Sequence, residues 1–114
     1  MASSFEDLEV WKKSCTLSVR LYTLLKDCRD YSFKDQILRA TVSIASNIAE
    51  GCERKSILDF KRFITISLGS AAELRTQIYI TKEIKLINDQ DANDLIEELR
   101  SISKMLQALH QSLK

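Results

Sequence analysis

The chain has no proline and only two glycines, Gly51 and Gly69, in 114 residues. Proline removes a backbone donor and breaks a helix interior, and glycine is the next strongest breaker. A chain almost free of both is disposed to run in long helices. Its length suits one domain. An apolar fraction of 45% supplies a core, and 29% charged residues supply a wettable surface. That balance is globular rather than disordered.

Periodicity and punctuation place the helices. In the first segment Leu8, Trp11, Cys15, Ser18, Tyr22 and Leu25 recur at steps of three and four, which is a helix stripe. Val10, Leu17, Leu21 and Leu24 form a second stripe beside it. Two stripes suggest burial on two sides, and one is enough for a bundle core, so part of the second is expected to face another subunit. Ser3, Ser32 and Ser56 each precede an acid by three residues, at Glu6, Asp35 and Asp59. That is capping-box spacing, and the acids suit the positive end of the helix dipole. Asn88 opens a further helix in the same way, and Gly51 is placed as a left-handed C-terminal residue. The expected helices span 4–26, 32–51, 56–84 and 89–112. Short connections make sequential helices antiparallel, so the expected fold is all-α, an up-down antiparallel four-helix bundle in one domain, 1–114.

Charge and motifs narrow the function. Seventeen basic and 16 acidic side chains give a formal charge of +1, without the basic excess of a dedicated nucleic-acid binder. No apolar run is long enough for a membrane span. The start of the chain lacks the basic and apolar regions of a signal peptide, so a cytoplasmic location is expected. Cys15, Cys28 and Cys52 are odd in number, lack a CxxC, and are expected to be free thiols. His110 stands alone near the C-terminus, away from any metal-spaced cluster. Asp89, Asp91, Asp94, Glu97 and Glu98 do not follow calcium-loop spacing and are expected to be a solvated helix start. No phosphate loop, nucleophile elbow or zinc-protease motif occurs. No enzyme, cofactor, metal or small-molecule substrate is expected.

The second helix carries the informative pattern. Gln36, Arg39, Ser43, Asn47 and Glu50 form one polar stripe, rich in short side chains and amides, beside the apolar stripe Ile37, Ala40, Ile44 and Ile48. The third helix carries Ser70, Glu73 and Gln77. Folding it back around residues 54–56 sets Gln36 opposite Gln77, Arg39 opposite Glu73, and Ser43 opposite Gly69 and Ser70. The expected result is a polar ladder that fixes register, with Arg39 and Glu73 paired in a buried or half-buried site. Gly69, Ser70, Ala71 and Ala72 are expected to let the helices approach closely.

The run Gln36-Ile37-Leu38-Arg39-Ala40-Thr41-Val42-Ser43-Ile44-Ala45-Ser46-Asn47-Ile48-Ala49-Glu50-Gly51 resembles the signature of the four-helix-bundle proteins named for bacterial 23S rRNA intervening sequences. Phe60, Phe63, Gly69, Ser70 and Glu73, and the opening Phe5-Glu6-Asp7-Leu8-Glu9-Val10-Trp11, fit the same family. The resemblance implies an up-down bundle assembling into a ring-like homopentamer. Retroelement accessory variability proteins, related in architecture, bind nucleic acid, but they are strongly basic. The family often has a proline before the second helix. Here that linker is Asp27-Cys28-Arg29-Asp30, so the turn is expected to differ.

Two functions follow. The first is a non-enzymatic oligomeric scaffold or adaptor, with Val10, Leu17, Leu21 and Leu24 between subunits. The second is RNA or DNA binding by a basic rim of Arg54, Lys55, Lys61 and Arg62, which a ring would concentrate on one side.

Overall fold

A computed structural model describes residues 4–114, and four of its five helical elements begin at a side-chain cap. The Ser4 hydroxyl accepts from the Glu6 N–H at 3.2 Å and opens a short 3-10 turn, Phe5–Asp7. Helix α1 then runs Glu9–Leu24, starting later than the sequence suggests because Ser4 caps the turn and not the helix. Ser3 lies outside the described residues. Helix α2 spans Tyr31–Cys52 and is capped by Asp30, which accepts from the Phe33 N–H at 3.2 Å. Ser32, the expected cap, sits inside the first turn. Aspartate caps as well as serine does, so Asp30, the last residue of the proline-free linker, decides this boundary.

Helix α3 spans Ile57–Glu83 behind the Ser56 cap, and α4 spans Asp89–Ser112 behind Asn88. Asn88 accepts from the Asp91 N–H at 2.8 Å and donates its amide to the Asp91 carboxylate at 2.9 Å, a reciprocal cap. Among the described residues the left-handed one is Lys85, at φ 62°, and not Gly51. It turns the chain so that the Leu86 N–H donates to the Thr81 carbonyl at 2.9 Å, closing the end of α3 as a Schellman motif. A side chain in this region costs roughly 1–2 kcal/mol. Burial of Ile87 directly after the turn offsets that cost.

The helices form the expected all-α, up-down antiparallel bundle. α1 packs on α2 and α4, α2 on α3, and α3 on α4, within 43 × 22 × 20 Å. Ile37, Ile44, Ile64, Leu74, Leu99 and Ile102 are fully buried, and each such side chain contributes about 1.5–3 kcal/mol of transfer free energy. No helix of the described residues is long and apolar enough to cross a membrane.

The second stripe of α1 does not have its expected role, and the first contributes Leu25 to the core as well. Val10, Leu17 and Leu21 are buried in the chain's own core, and Leu24 packs against it. They line the bundle axis with the buried Ser14, whose hydroxyl folds back on the Val10 carbonyl at 2.7 Å. They are therefore not an intersubunit surface. The stripe with Trp11, Cys15 and Tyr22 sits on the outer edge beside α2, and Val19 lies fully outside.

Candidate functional site

The polar residues between α2 and α3 bind the two helices together, but not as a rung-by-rung ladder. The Ser43 and Ser70 hydroxyls are 2.8 Å apart, as folding α3 back on α2 implies. Asn47 donates its amide to the Ser43 carbonyl at 2.8 Å and to the Ser43 hydroxyl at 2.9 Å. One turn deeper, the buried Ser67 donates to the Ile44 carbonyl at 2.9 Å. Between α1 and α2, Ser18 and Thr41 are 3.1 Å apart. Ser18 already donates to the Ser14 carbonyl, so the Thr41 hydroxyl is left as the donor in that pair.

Glycine permits the close approach, at Gly51 and not at Gly69. A Cβ on Gly51 would lie 2.6 Å from the Phe63 Cβ and 3.1 Å from a Phe60 ring carbon. A Cβ on Gly69 would meet nothing within 4 Å, because Gly69 is on the outer face of α3.

Arg39 and Glu73 do not pair. The Arg39 guanidinium donates to Asp35, one turn back on its own helix, at 2.9 Å, and its side chain is 82% exposed. Glu73 is also exposed and forms no ion pair among the described residues. Both side chains line a wide, open groove with Ser32, Asp35, Gln36, Ala40 and Ser43. The register is as expected and the depth is not. The stripe's outer edge reaches water, where an intrahelical carboxylate is the nearer partner and such a pair contributes about 0–1 kcal/mol. Gln36 and Glu50 are exposed as well, and Glu50 approaches Arg54 at 3.5 Å. Gln77 is buried without reaching Gln36, and its side-chain carbonyl oxygen has no hydrogen-bond partner among the described residues.

The basic residues at the α2–α3 turn are partly engaged. Arg54 lies 4.9 Å over the Phe63 ring besides approaching Glu50. Arg62 stands 3.5 Å from Asp59. Lys55 and Lys61 form no ion pair among the described residues. Burial raises the Cys15 thiol, and burial followed by the Glu53 charge raises Cys52, so both stay protonated and poorly nucleophilic. Among the described residues, no group of His, Cys, Asp and Glu could hold a metal ion.

One contact was not visible in the sequence. Arg20 of α1 reaches Asp91 at 3.2 Å and Asp94 at 3.6 Å, joining α1 to α4. The acidic start of α4 is thus partly a docking point for α1 and not only a solvated helix start. The signal was Arg20 two helical turns after Lys13 on one face of α1, which spacing alone does not link to a distant acidic run.

A protein described as of unknown function from the S23 ribosomal protein family of Bacteroides thetaiotaomicron has a similar structure, with a TM-score of 0.84 and 24% identity over 90% of this chain and 96% of that one. At that identity the likeness shows the fold. No curated protein matches the chain in sequence. The sequence pattern of the 23S rRNA-intervening sequence proteins matches residues 6–108, which takes in α1, α2, α3, most of α4 and the α2–α3 seam, and the chain belongs to that family.

Proposed function

We propose that this protein is a non-enzymatic scaffold or adaptor that works as a homo-oligomer. The observation that carries this reading is the outer face of α1 and α2. The core is filled by other residues, yet Val19, Tyr22 and Val42 remain exposed there. Exposed apolar side chains gathered on one face mark an interaction surface. The resemblance to ring-forming relatives supports five copies. A cytoplasmic location goes with this reading, since Cys15, Cys28 and Cys52 are free, the state that a reducing compartment maintains. Light scattering at micromolar concentration tests it: the expected mass is several times the 13.1 kDa of one chain, and a mass of 13.1 kDa contradicts it.

A second reading, nucleic-acid binding at the α2–α3 turn, is favoured by Lys55 and Lys61, which have no acidic partner among the described residues. It predicts RNA binding that falls steeply with salt and weakens across sequences when Arg54, Lys55, Lys61 and Arg62 are all changed to Ser. Absence of binding by the wild type at low salt removes it.

A further inference from the structure

The edge where α3 meets α4 is charged one way. The Arg100 guanidinium of α4 donates to the Tyr79 hydroxyl of α3 at 3.0 Å, and the Lys82 ammonium of α3 donates to the Asn93 side-chain oxygen of α4 at 2.9 Å. Arg75 lies one turn before Tyr79, and Lys104 one turn after Arg100. The helices run antiparallel, so these two cations share one level. Arg75, Lys82, Arg100 and Lys104 therefore stand together against one carboxylate, Glu97, in a chain whose formal charge is +1. Glu97 is already held by Arg100, at 2.7 Å. Arg75 is half-buried and Lys104 exposed, and neither side chain has an ion pair or a hydrogen bond among the described residues.

The unengaged groups of this cluster are all donors. Guanidinium and ammonium groups have no acceptor atom. Tyr79, 43% exposed, accepts from Arg100 and keeps its own hydroxyl proton free to donate outward. Like charges at one level repel, and a half-buried guanidinium without an anion has lost water without gaining a partner. A ligand that suits this edge brings acceptors and negative charge.

We propose that this edge is where the adaptor takes a partner, and that the partner presents an acidic helical segment. This rests on the adaptor reading above and gives the partner's chemistry. Arg100 and Lys104 are four residues apart and Arg75 and Lys82 seven, rises of about 6 and 10.5 Å. Carboxylates at i, i+4 and i+7 of a partner helix have the same rises and lie on one face. The positive strip is also short. Toward the α2–α3 turn the edge continues as Leu68, Ala72, Gln107 and Gln111, none of them charged, and in the other direction lie Asp89 and Asp91 at the start of α4. A nucleic-acid strand, with a charge about every 3.4 Å, runs off such a strip onto neutral surface one way and carboxylates the other. A short acidic helix fits within it.

The probe is a fluorescein-labelled, alanine-based helical peptide with glutamates at i, i+4 and i+7 on one face. A control peptide of the same composition spreads them around the helix. Fluorescence anisotropy at low salt should show the first peptide binding the wild type, with affinity falling as salt rises. Arg75→Glu with Lys104→Glu should weaken binding about tenfold or more, since two attractions become repulsions. Lys55→Glu with Lys61→Glu, at the α2–α3 turn, should change it little. Unchanged circular dichroism confirms that each variant folds. No binding of the first peptide, equal binding of the control peptide, or an equal loss in the two double variants overturns the proposal. So does an oligouridylate that binds in the peptide's stead and is lost in Arg75→Glu with Lys104→Glu, which assigns the edge to nucleic acid. Light scattering separates this site from the oligomeric reading. A wild type at 13.1 kDa that still binds the peptide overturns the oligomer alone, and an assembled wild type that does not bind it overturns this site alone. A drop in mass in Arg75→Glu with Lys104→Glu makes the edge a contact between copies and overturns the proposal as well.

Discussion

The seam between α2 and α3 and the seam between α1 and α4 join helices of the same bundle by opposite means. The first is close, and buried at Ser67. Ser67 donates to a backbone carbonyl in the core, Ser43 meets Ser70, and Gly51 lets α2 approach Phe63 without a Cβ between them. The second is open to water at its polar edge. Its cross-helix link outside the core is the Arg20 guanidinium over Asp91 and Asp94, all partly exposed. Short polar side chains lose little rotamer freedom on burial and hold a fixed spacing. A long charged pair in water contributes little and tolerates movement. The difference teaches that the run 36–51 of α2 is where this fold stores its precision.

Four substitutions sharpen that contrast. Gly51→Ala should have the largest effect, a loss of about 1–3 kcal/mol in chemical denaturation, because the new Cβ meets Phe63 and overpacks the seam. This must outweigh the roughly 1 kcal/mol that alanine contributes through helix propensity. Gly69→Ala isolates that contribution. With open space around it, it should stabilise by about 1 kcal/mol, and a loss there would show that α3 is packed from outside. Ser67→Ala removes one buried hydrogen bond and should cost about 0.5–1.5 kcal/mol in the same assay. Arg20→Ala should have the smallest effect, below about 1 kcal/mol, and should vanish in high salt. An Arg20 effect larger than that of Gly51 would reverse the ranking of the two seams.

Much of this architecture is legible in the sequence, for identifiable reasons. Ser56 and Asn88 cap α3 and α4 where their spacing says they should, because nothing nearby competes for the same N–H groups. Ser32 loses to Asp30, an equally good cap two residues earlier. The level of contact between α2 and α3 is readable, since Ser43 does meet Ser70. Depth is not readable. Arg39 and Gln77 share the same kind of stripe, yet Arg39 is solvated beside Asp35 and Gln77 is buried. A one-dimensional pattern fixes rotation about a helix only to within the width of a stripe, and long side chains settle the rest by reaching water. The two stripes of α1 show the same limit. Both repeat at helical spacing, and only the placement of α4 decides that Val10, Leu17 and Leu21 turn inward.

The residue left facing outward by that choice offers the most direct test. Cys15 lies half-buried on the α1–α2 flank, which the account assigns to the contact between copies. In a Cys28→Ser, Cys52→Ser background, maleimide labelling at micromolar concentration reports how well a neighbour covers it. Cys15 should react several-fold more slowly in that background than when Val42→Asp is added, with both forms equally helical. Equal labelling rates in the two forms would mean that the flank is bare, and would contradict the claim that this protein is an assembly built on it.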